Sequence, residues 1–493
     1  MSQFYPLNSV KISRILFLFL AIIGMSLSSC SSDDAPQAPP VTVPTTGSVS
    51  GFVQAEGVVV NGAVVTLKQD GQTDKTVTTG ADGIFKFTTI PTGKISLVAA
   101  YANYITKTTP AVVSGGQDLQ VTINISADES KVTAIPDAAF EKKLIDMGLD
   151  SGPINGSVPT YKISSVKNLS LNDSGIADVT GLQDFTALES FSCSNLYGSS
   201  VIKLKSIDIS KNTALKSLNL ATNEITTLDI SKNLALESID ISGNSISTLD
   251  VTKHTNLKML SCGDNKITTL DLSNNAALQD LYVSQLALTS IDVSKNPALR
   301  YFYINAVGLN TIDVSKNPAL EVLYCIENNF QTIDVSNNSI LRVLNIDKNK
   351  LTSLDLTKNA ALTTVSCGRN EITSIDVTKC SELTTLVCNN NLLLNLDVSQ
   401  NTKLLNLSCA YNVLGTLDCS KNPLLATKDG YYLICNNNVL TKLNLKSGNN
   451  KNFKGGNFLN NTSMLQIAVD DVAYSNEKWK DHKDPAATFV SSF

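Results

Sequence analysis

From about residue 165 to 450 the chain repeats short runs of Leu, Ile and Val between Asn, Asp and Ser. The period is fixed. Asn212, Asn233, Asn275, Asn296, Asn317, Asn338, Asn359, Asn401 and Asn422 recur 21 residues apart, with His254 and Cys380 standing in the same series. Four residues before each stands an aspartate, from Asp208, Asp229 and Asp250 through to Asp397 and Asp418. Within one period the apolar spacing occurs twice: Leu215, Leu218, Leu220 before Asn223, then Ile225, Leu228, Ile230 before Asn233. A repeat of this length predicts a solenoid, because one coil cannot bury its apolar face except against the next. Parallel strand pairing would stack the coils about 4.8 Å apart, so that about a dozen span roughly 55–60 Å.

The residue types follow from the coil. Leu, Ile and Val fill one narrow core. Where a strand ends, the backbone turns inside the molecule and needs hydrogen-bond partners, which an inward Asn supplies. Cys262, Cys325, Cys367, Cys388, Cys409 and Cys435 stand three residues before such an Asn, where other coils carry Leu220, Ile241, Val283, Ile304 and Ile346. They read as small buried hydrophobes. Side chains pointing in parallel from stacked coils suit the disulfide torsion poorly. The pattern Leu-x-x-Leu-x-Leu-x-x-Asn resembles the leucine-rich repeat, in a 21-residue form similar to that of flavobacterial surface proteins and, more loosely, to internalins. The resemblance covers more than half of the chain.

The aspartate row needs compensation, since like charges about 4.8 Å apart repel by about 0.9 kcal/mol per pair in bulk water. Each Asp lies two residues before a Ser or Thr, and Lys follows in most coils, as Lys211, Lys232 and Lys295 do. The preferred reading is a tight turn in which Asp accepts from hydroxyl and backbone, with Lys neutralising the row. Calcium bound along the ladder is the alternative.

Upstream the periodicity changes to 2. Alternation in Ser48, Val49, Ser50, Gly51, Phe52 and Val53, in residues 63–67 and in residues 84–87 predicts strands. Asp70-Gly71, Asp82-Gly83 and Pro91-Thr92-Gly93 are turn signals between them. Short strands at regular spacing predict a β-sandwich. Residues 79–93, TGADGIFKFTTIPTG, resemble the transthyretin-like carboxypeptidase regulatory-like domain, which implies a noncatalytic spacer. A carbohydrate-binding sandwich is the alternative, and the segment offers no aromatic row for it. A helix starting at Asp137, with Phe140 and Leu144 on one face and Gly148 at its end, is expected to cap the first coil. The stretch 465–474, followed by Trp479, resembles the matching C-terminal cap. Five extra residues between Asn422 and Asn438 predict a loop near Lys428.

The first residues carry an address. Lys11 and Arg14 precede an apolar run over 15–25, too short for the roughly 20 residues of a membrane span and fitting a secretory leader. Leu27, Ser28, Ser29 and Cys30 resemble a bacterial lipobox, which implies lipidation of Cys30 and a firm membrane anchor. Ser31, Ser32, Asp33 and Asp34 resemble the surface-export signal of Bacteroidetes lipoproteins. A spacer rich in Pro and small polar residues follows, reaching roughly 50 Å if extended. The chain is thus read as leader (1–30), spacer (31–46), sandwich (47–127), N-terminal cap (128–165), repeats (166–450) and C-terminal cap (451–493).

Composition narrows the function. The net charge is -5, with 39 basic and 44 acidic residues, which excludes a strong electrostatic claim on nucleic acid. Two histidines leave no room for a multi-His metal site or a His-based triad. No cofactor, metal or catalytic residue is expected. The outward position of the strand reads Asn219, Asp240, Ser261, Tyr282, Tyr303, Tyr324, Asn345, Ser366. Tyr301 joins the three tyrosines, with Arg300, Glu321 and Asp280 near. The Asn pattern fails in these same coils, at Leu286 and Val307. Clustered Tyr and Arg make binding hot spots, and stacked aromatics also stabilise a sheet face. Tyr282, Arg300, Tyr301, Tyr303, Glu321 and Tyr324 are therefore the candidate ligand-binding residues. The expected whole is a monomeric outer-membrane lipoprotein facing outward that recognises a protein or glycan, with adhesion as one use. The alternatives are an accessory of surface polysaccharide degradation and a structural spacer without a ligand.

Overall fold

The computed structural model describes residues 42–198, 202–430, 432–461 and 463–493. The leader, Cys30 and the first part of the spacer lie outside the described residues. The chain is mostly β: a sandwich, then a leucine-rich repeat solenoid.

In the sandwich, β1 (Thr46–Ala55) pairs antiparallel with β2 (Val58–Val59) and β5 (Ile84–Pro91), and parallel with β8 (Asp118–Ile125). The second sheet runs β4 (Lys75–Thr78), β3 (Val64–Lys68), β6 (Gly93–Ala100), β7 (Lys107–Val113). Alternate residues point inward as the period requires: Phe85, Phe87 and Ile90 from β5 meet Ile95, Leu97 and Ala99 from β6 in one buried core. β1 and β8 lie so close that a Cβ at Gly51 would sit 1.7 Å from the Val121 carbonyl oxygen, so that position takes only glycine.

The solenoid is built on a parallel sheet of 14 strands, more than the dozen expected, since pairing continues to Gly456–Asn457. Most strands are three residues long with the middle side chain buried, as in Leu218, Ile239, Leu260, Leu281, Phe302 and Leu323. The core is continuous from the N-terminal cap to Phe489.

Two columns of asparagine amides join the coils. At the strand end, Asn244 Nδ2 donates to the Leu220 and Ile241 carbonyls, both at 2.9 Å, while its Oδ1 accepts from Ile225 N–H at 3.0 Å. On the far side, Asn233 Nδ2 donates to the carbonyls of Ile209 and Asn212, each 2.9 Å away. The residue before each strand-end Asn adopts a left-handed backbone, Thr222 at φ 59, Glu327 at 58, Lys348 at 55 and Tyr411 at 53, as does Gln285 at 55 where Leu286 replaces the Asn. That conformation costs roughly 1 kcal/mol for a non-glycine residue, and only Gly243 of this column avoids it.

The aspartate row is a row of turns. Each carboxylate accepts the backbone N–H two residues on: Ser210 N–H donates to Asp208 Oδ1 at 2.9 Å and Ser294 N–H to Asp292 Oδ1 at 2.8 Å. Backbone and hydroxyl donors hold the Asp208, Asp292 and Asp313 carboxyls below their usual range. The lysines contribute only through their field: among the described residues no ladder aspartate forms an ion pair within 4 Å. The lysines expected to neutralise the row thus act at a distance, Lys211 lowering the Asp208 carboxyl and Lys295 that of Asp292, secondary to the turn donors. No group of three His, Cys, Asp or Glu placed to share a metal ion occurs among the described residues.

Both ends of the core are covered. The helix Ala138–Asp146 is capped by Asp137, whose Oδ1 accepts from Ala139 and Phe140 N–H. Its Oδ2 accepts from Ala177 and Asp178, which ties the cap to the first coil. At the other end Trp479 is buried, 4.9 Å from the ring of Phe453 and 6.1 Å from that of Phe489.

His254 is the weak rung of the far-side ladder. Its Nε2 lies 3.2 Å from the Ile230 carbonyl, and its buried Nδ1 has no partner. An asparagine there would also reach the Asn233 carbonyl, as its equivalents do one coil back. His254→Asn is expected to raise stability by about 1 kcal/mol, measured as an upward shift of the urea midpoint. A lowered midpoint would contradict this account of the ladder.

Candidate functional site

The strands Asp280–Tyr282, Tyr301–Tyr303 and Val322–Tyr324 lie side by side, with Leu281, Phe302 and Leu323 turned into the core. The flanking residues therefore face outward. Register places Tyr282 beside Tyr303, and Tyr303 beside Tyr324. Their rings stack at 4.8 Å with 21° between planes, and at 4.7 Å with 14°. These separations are the strand spacing itself, so parallel register imposes the stack. The rings are half-buried, with their outer edges to solvent.

Asp280 stands beside Tyr301 in the second outward column. Desolvation raises its carboxyl, and Arg300 opposes the shift. Burial raises the Tyr282 and Tyr303 phenols above the usual tyrosine value, so both are neutral hydroxyls at neutral pH. The Arg300 guanidinium donates to Glu321 Oε1 from Nε at 2.9 Å and from Nη2 at 2.8 Å, and its centre lies 5.4 Å from the Tyr301 ring centroid. All six residues singled out in the sequence are thus brought together on three adjacent coils.

Arg300 and Glu321 also belong to something the sequence reading missed. They sit in a third column that alternates in charge: Lys167, Glu189, Lys216, Glu237, Lys258, then Gln279, Arg300, Glu321 and Arg342. Glu189 is held between Lys167 at 2.8 Å and Lys216 at 2.7 Å, and Glu237 meets Lys258 at 2.6 Å. Two lysines hold the Glu189 carboxyl down to about 2. From Lys216 onward the signal is the same 21-residue spacing at one more position. A second missed feature is apolar. Leu392, Val413 and Val439 are exposed where earlier coils carry Glu224, Lys266 and Glu371.

The interruption at Leu286 and Val307 has a structural consequence. Neither side chain can make the amide bonds that its equivalents make. The backbone bond from Gln285 N–H to the Asn305 carbonyl, 2.9 Å, is the one that Thr222 and Ser242 make in an ordinary coil, and Asn305 Oδ1 also accepts from Ile326 N–H at 2.9 Å.

The cysteines among the described residues are free and buried. Desolvation raises their thiols, Cys193, Cys262 and Cys419 to about 12, which leaves them unreactive.

Residues 48–126 match the carboxypeptidase regulatory-like domain. Among solved structures, the functional domain of InlJ from Listeria monocytogenes, which includes a cysteine ladder, is 27% identical. Its TM-score is 0.57, over 69% of this chain and 77% of that one. The internalin InlF from the same bacterium is 20% identical, with a TM-score of 0.56 over 66% of this chain and 96% of that one. The leucine-rich repeat protein LIC12759 of Leptospira interrogans is 18% identical, with a TM-score of 0.52 over 67% and 97%. The last two share the fold. No curated protein matches the chain in sequence.

Stacked rings stabilise a sheet by about 0.5–1.5 kcal/mol per pair. Tyr303 makes two such contacts and each neighbour one. Tyr303→Ser is expected to lower stability by roughly 1–3 kcal/mol, more than Tyr324→Ser. A Tyr282/Tyr303 double-mutant cycle should return a coupling of about 0.5–1.5 kcal/mol. A coupling near zero would show that the stack holds nothing together.

Proposed function

We propose that this chain is a noncatalytic recognition protein whose solenoid sheet face binds a protein or glycan partner at a bacterial cell surface. The tyrosine column carries the reading. Three amphipathic rings, preorganised by register and flanked by an arginine, are the residue types on which binding free energy concentrates. They lose little conformational freedom on binding, because the sheet already holds them. The likeness to the InlJ functional domain supports a display scaffold of this kind. Against catalysis stands the use of the solenoid carboxylates: the aspartates of the row are spent on turns and most of the glutamates on ion pairs.

Placement completes the proposal. Lipid on Cys30 anchors a monomeric chain in the outer membrane facing the exterior, the spacer and sandwich hold the solenoid away from the lipid, and adhesion is the use such a display serves. The support is the sequence around Cys30 and the braced β-sandwich that follows it. Metabolic labelling with a radioactive fatty acid tests the anchor. The full chain is expected to incorporate label and Cys30→Ala to incorporate none; equal labelling of both would remove the anchor from the account.

The recognition itself is tested by arraying the chain against glycans and cell-surface proteins, beside the triple variant Tyr282→Ser, Tyr303→Ser, Tyr324→Ser. A partner bound by the chain and lost by a variant that still melts cooperatively is the expected result. A partner retained by the variant would move the site elsewhere.

A further inference from the structure

The sandwich and the first coils leave a cleft of about 720 Å³ between them. Its walls are the β1–β2 hairpin, the turn at 101–104 and the cap segment 161–167. The joint is braced. Tyr104 forms an antiparallel bridge with Ala127, Ile105 N–H donates to the Ser126 carbonyl at 2.9 Å, and Asp128 N–H to that of Asn103 at 3.0 Å. On the cap side Thr160 N–H donates to the Lys131 carbonyl at 2.9 Å. The short connection between the two bodies is thus hydrogen-bonded to both, which makes the cleft a fixed feature of the joint.

Three tyrosines from the two bodies meet in it. The Tyr101 and Tyr104 rings lie 5.4 Å apart at 50°, and Tyr104 and Tyr161 lie 6.1 Å apart at 70°. Tyr104 is parallel to neither neighbour, so the rings do not form a stack like that of the sheet face. The charges nearby are unequal. Lys167 is held by Glu189 at 2.8 Å, while Glu56 is exposed and in no ion pair among the described residues. Burial raises the Tyr104 and Tyr161 phenols; Glu129 adds to the shift of Tyr161, and Glu56, to a smaller extent there, adds to both.

We propose that this cleft binds a short neutral oligosaccharide of two or three rings. Its volume falls within the roughly 300–1,000 Å³ of ligand sites, which favour domain junctions. The C–H faces of a sugar ring pack on tyrosine, as apolar surface does on an aromatic face. Glu56 accepts from a pair of neighbouring sugar hydroxyls, in the stronger charge-assisted manner, and the neutral phenols donate. Asn61, Ser164 and Ser165 add polar groups to walls that are otherwise mostly apolar. The uncompensated Glu56 disfavours an acidic sugar. Six strand spacings separate this joint from Tyr301–Tyr303, roughly 29 Å along the sheet, so the two sites are independent.

Saturation-transfer NMR on the full chain tests the site. The probes are di- and trisaccharides of glucose, galactose, mannose and N-acetylglucosamine, with uronic-acid oligomers beside them. Transfer to a neutral saccharide is expected, and none to the acidic set. Binding should weaken at least about tenfold in Tyr161→Ser and in Glu56→Gln and stay unchanged in Tyr303→Ser. Glu56 is exposed, so Glu56→Gln keeps the fold even where Tyr161→Ser disturbs the cap. Absence of transfer to every neutral saccharide, transfer to the acidic set alone, retention of affinity in Glu56→Gln, or its loss in Tyr303→Ser would overturn the proposal. The last outcome would place the sugar on the sheet face instead.

Discussion

A coil of the solenoid turns its backbone through the interior, where carbonyls and N–H groups have no water to meet. The asparagine amide that reaches from one coil into the next is the interaction on which the rest depends. Asn244 serves two carbonyls and one N–H belonging to two coils. Such a side chain tolerates no drift in register, and the strict 21-residue period follows. The insertion after Asn422 obeys the same constraint. The extra residues after Asn422 leave the wall as a loop, and Asn438 still donates to the Cys409 and Cys435 carbonyls, both at 3.1 Å.

A fixed period turns the surface into columns, and each column has to settle its own physics. Aspartates can recur because each is satisfied locally, within its own turn. Charges at the strand entrance are settled between coils, by alternation of sign. Tyrosines stack because the strand spacing is also a comfortable ring spacing. Arg300 belongs to two of these columns at once: it completes the charge alternation through Glu321 and packs on Tyr301. Much of its charge is therefore used at home, and the tyrosines carry the larger part of what the sheet face offers a partner.

The two irregular coils depart from the others both inside and outside. Leu286 and Val307 add apolar core where the others place an amide, and Asn305 and the ring stack join the coils on the outside. A surface that holds the fold together is rigid, and rigidity lowers the entropic cost of binding. Stabilising and recognising roles for the same rings therefore reinforce one another.

The sequence by itself determined the solenoid, its inward residues, the turn aspartates, the caps at Asp137 and Trp479 and the tyrosine column, because all of these are periodic or local and a period is visible in one dimension. The charge column is equally periodic from Lys216 onward. Tertiary structure alone decided the rest. The left-handed residue before each strand-end Asn carries no sequence mark, since Thr, Glu, Lys and Tyr all occupy it. The parallel pairing of β1 with β8 and the meeting of Tyr101, Tyr104 and Tyr161 join residues about 60 to 70 positions apart. Nothing in local spacing encodes such a meeting. It arises from how two separately folded bodies dock, and docking is set by the shape of both.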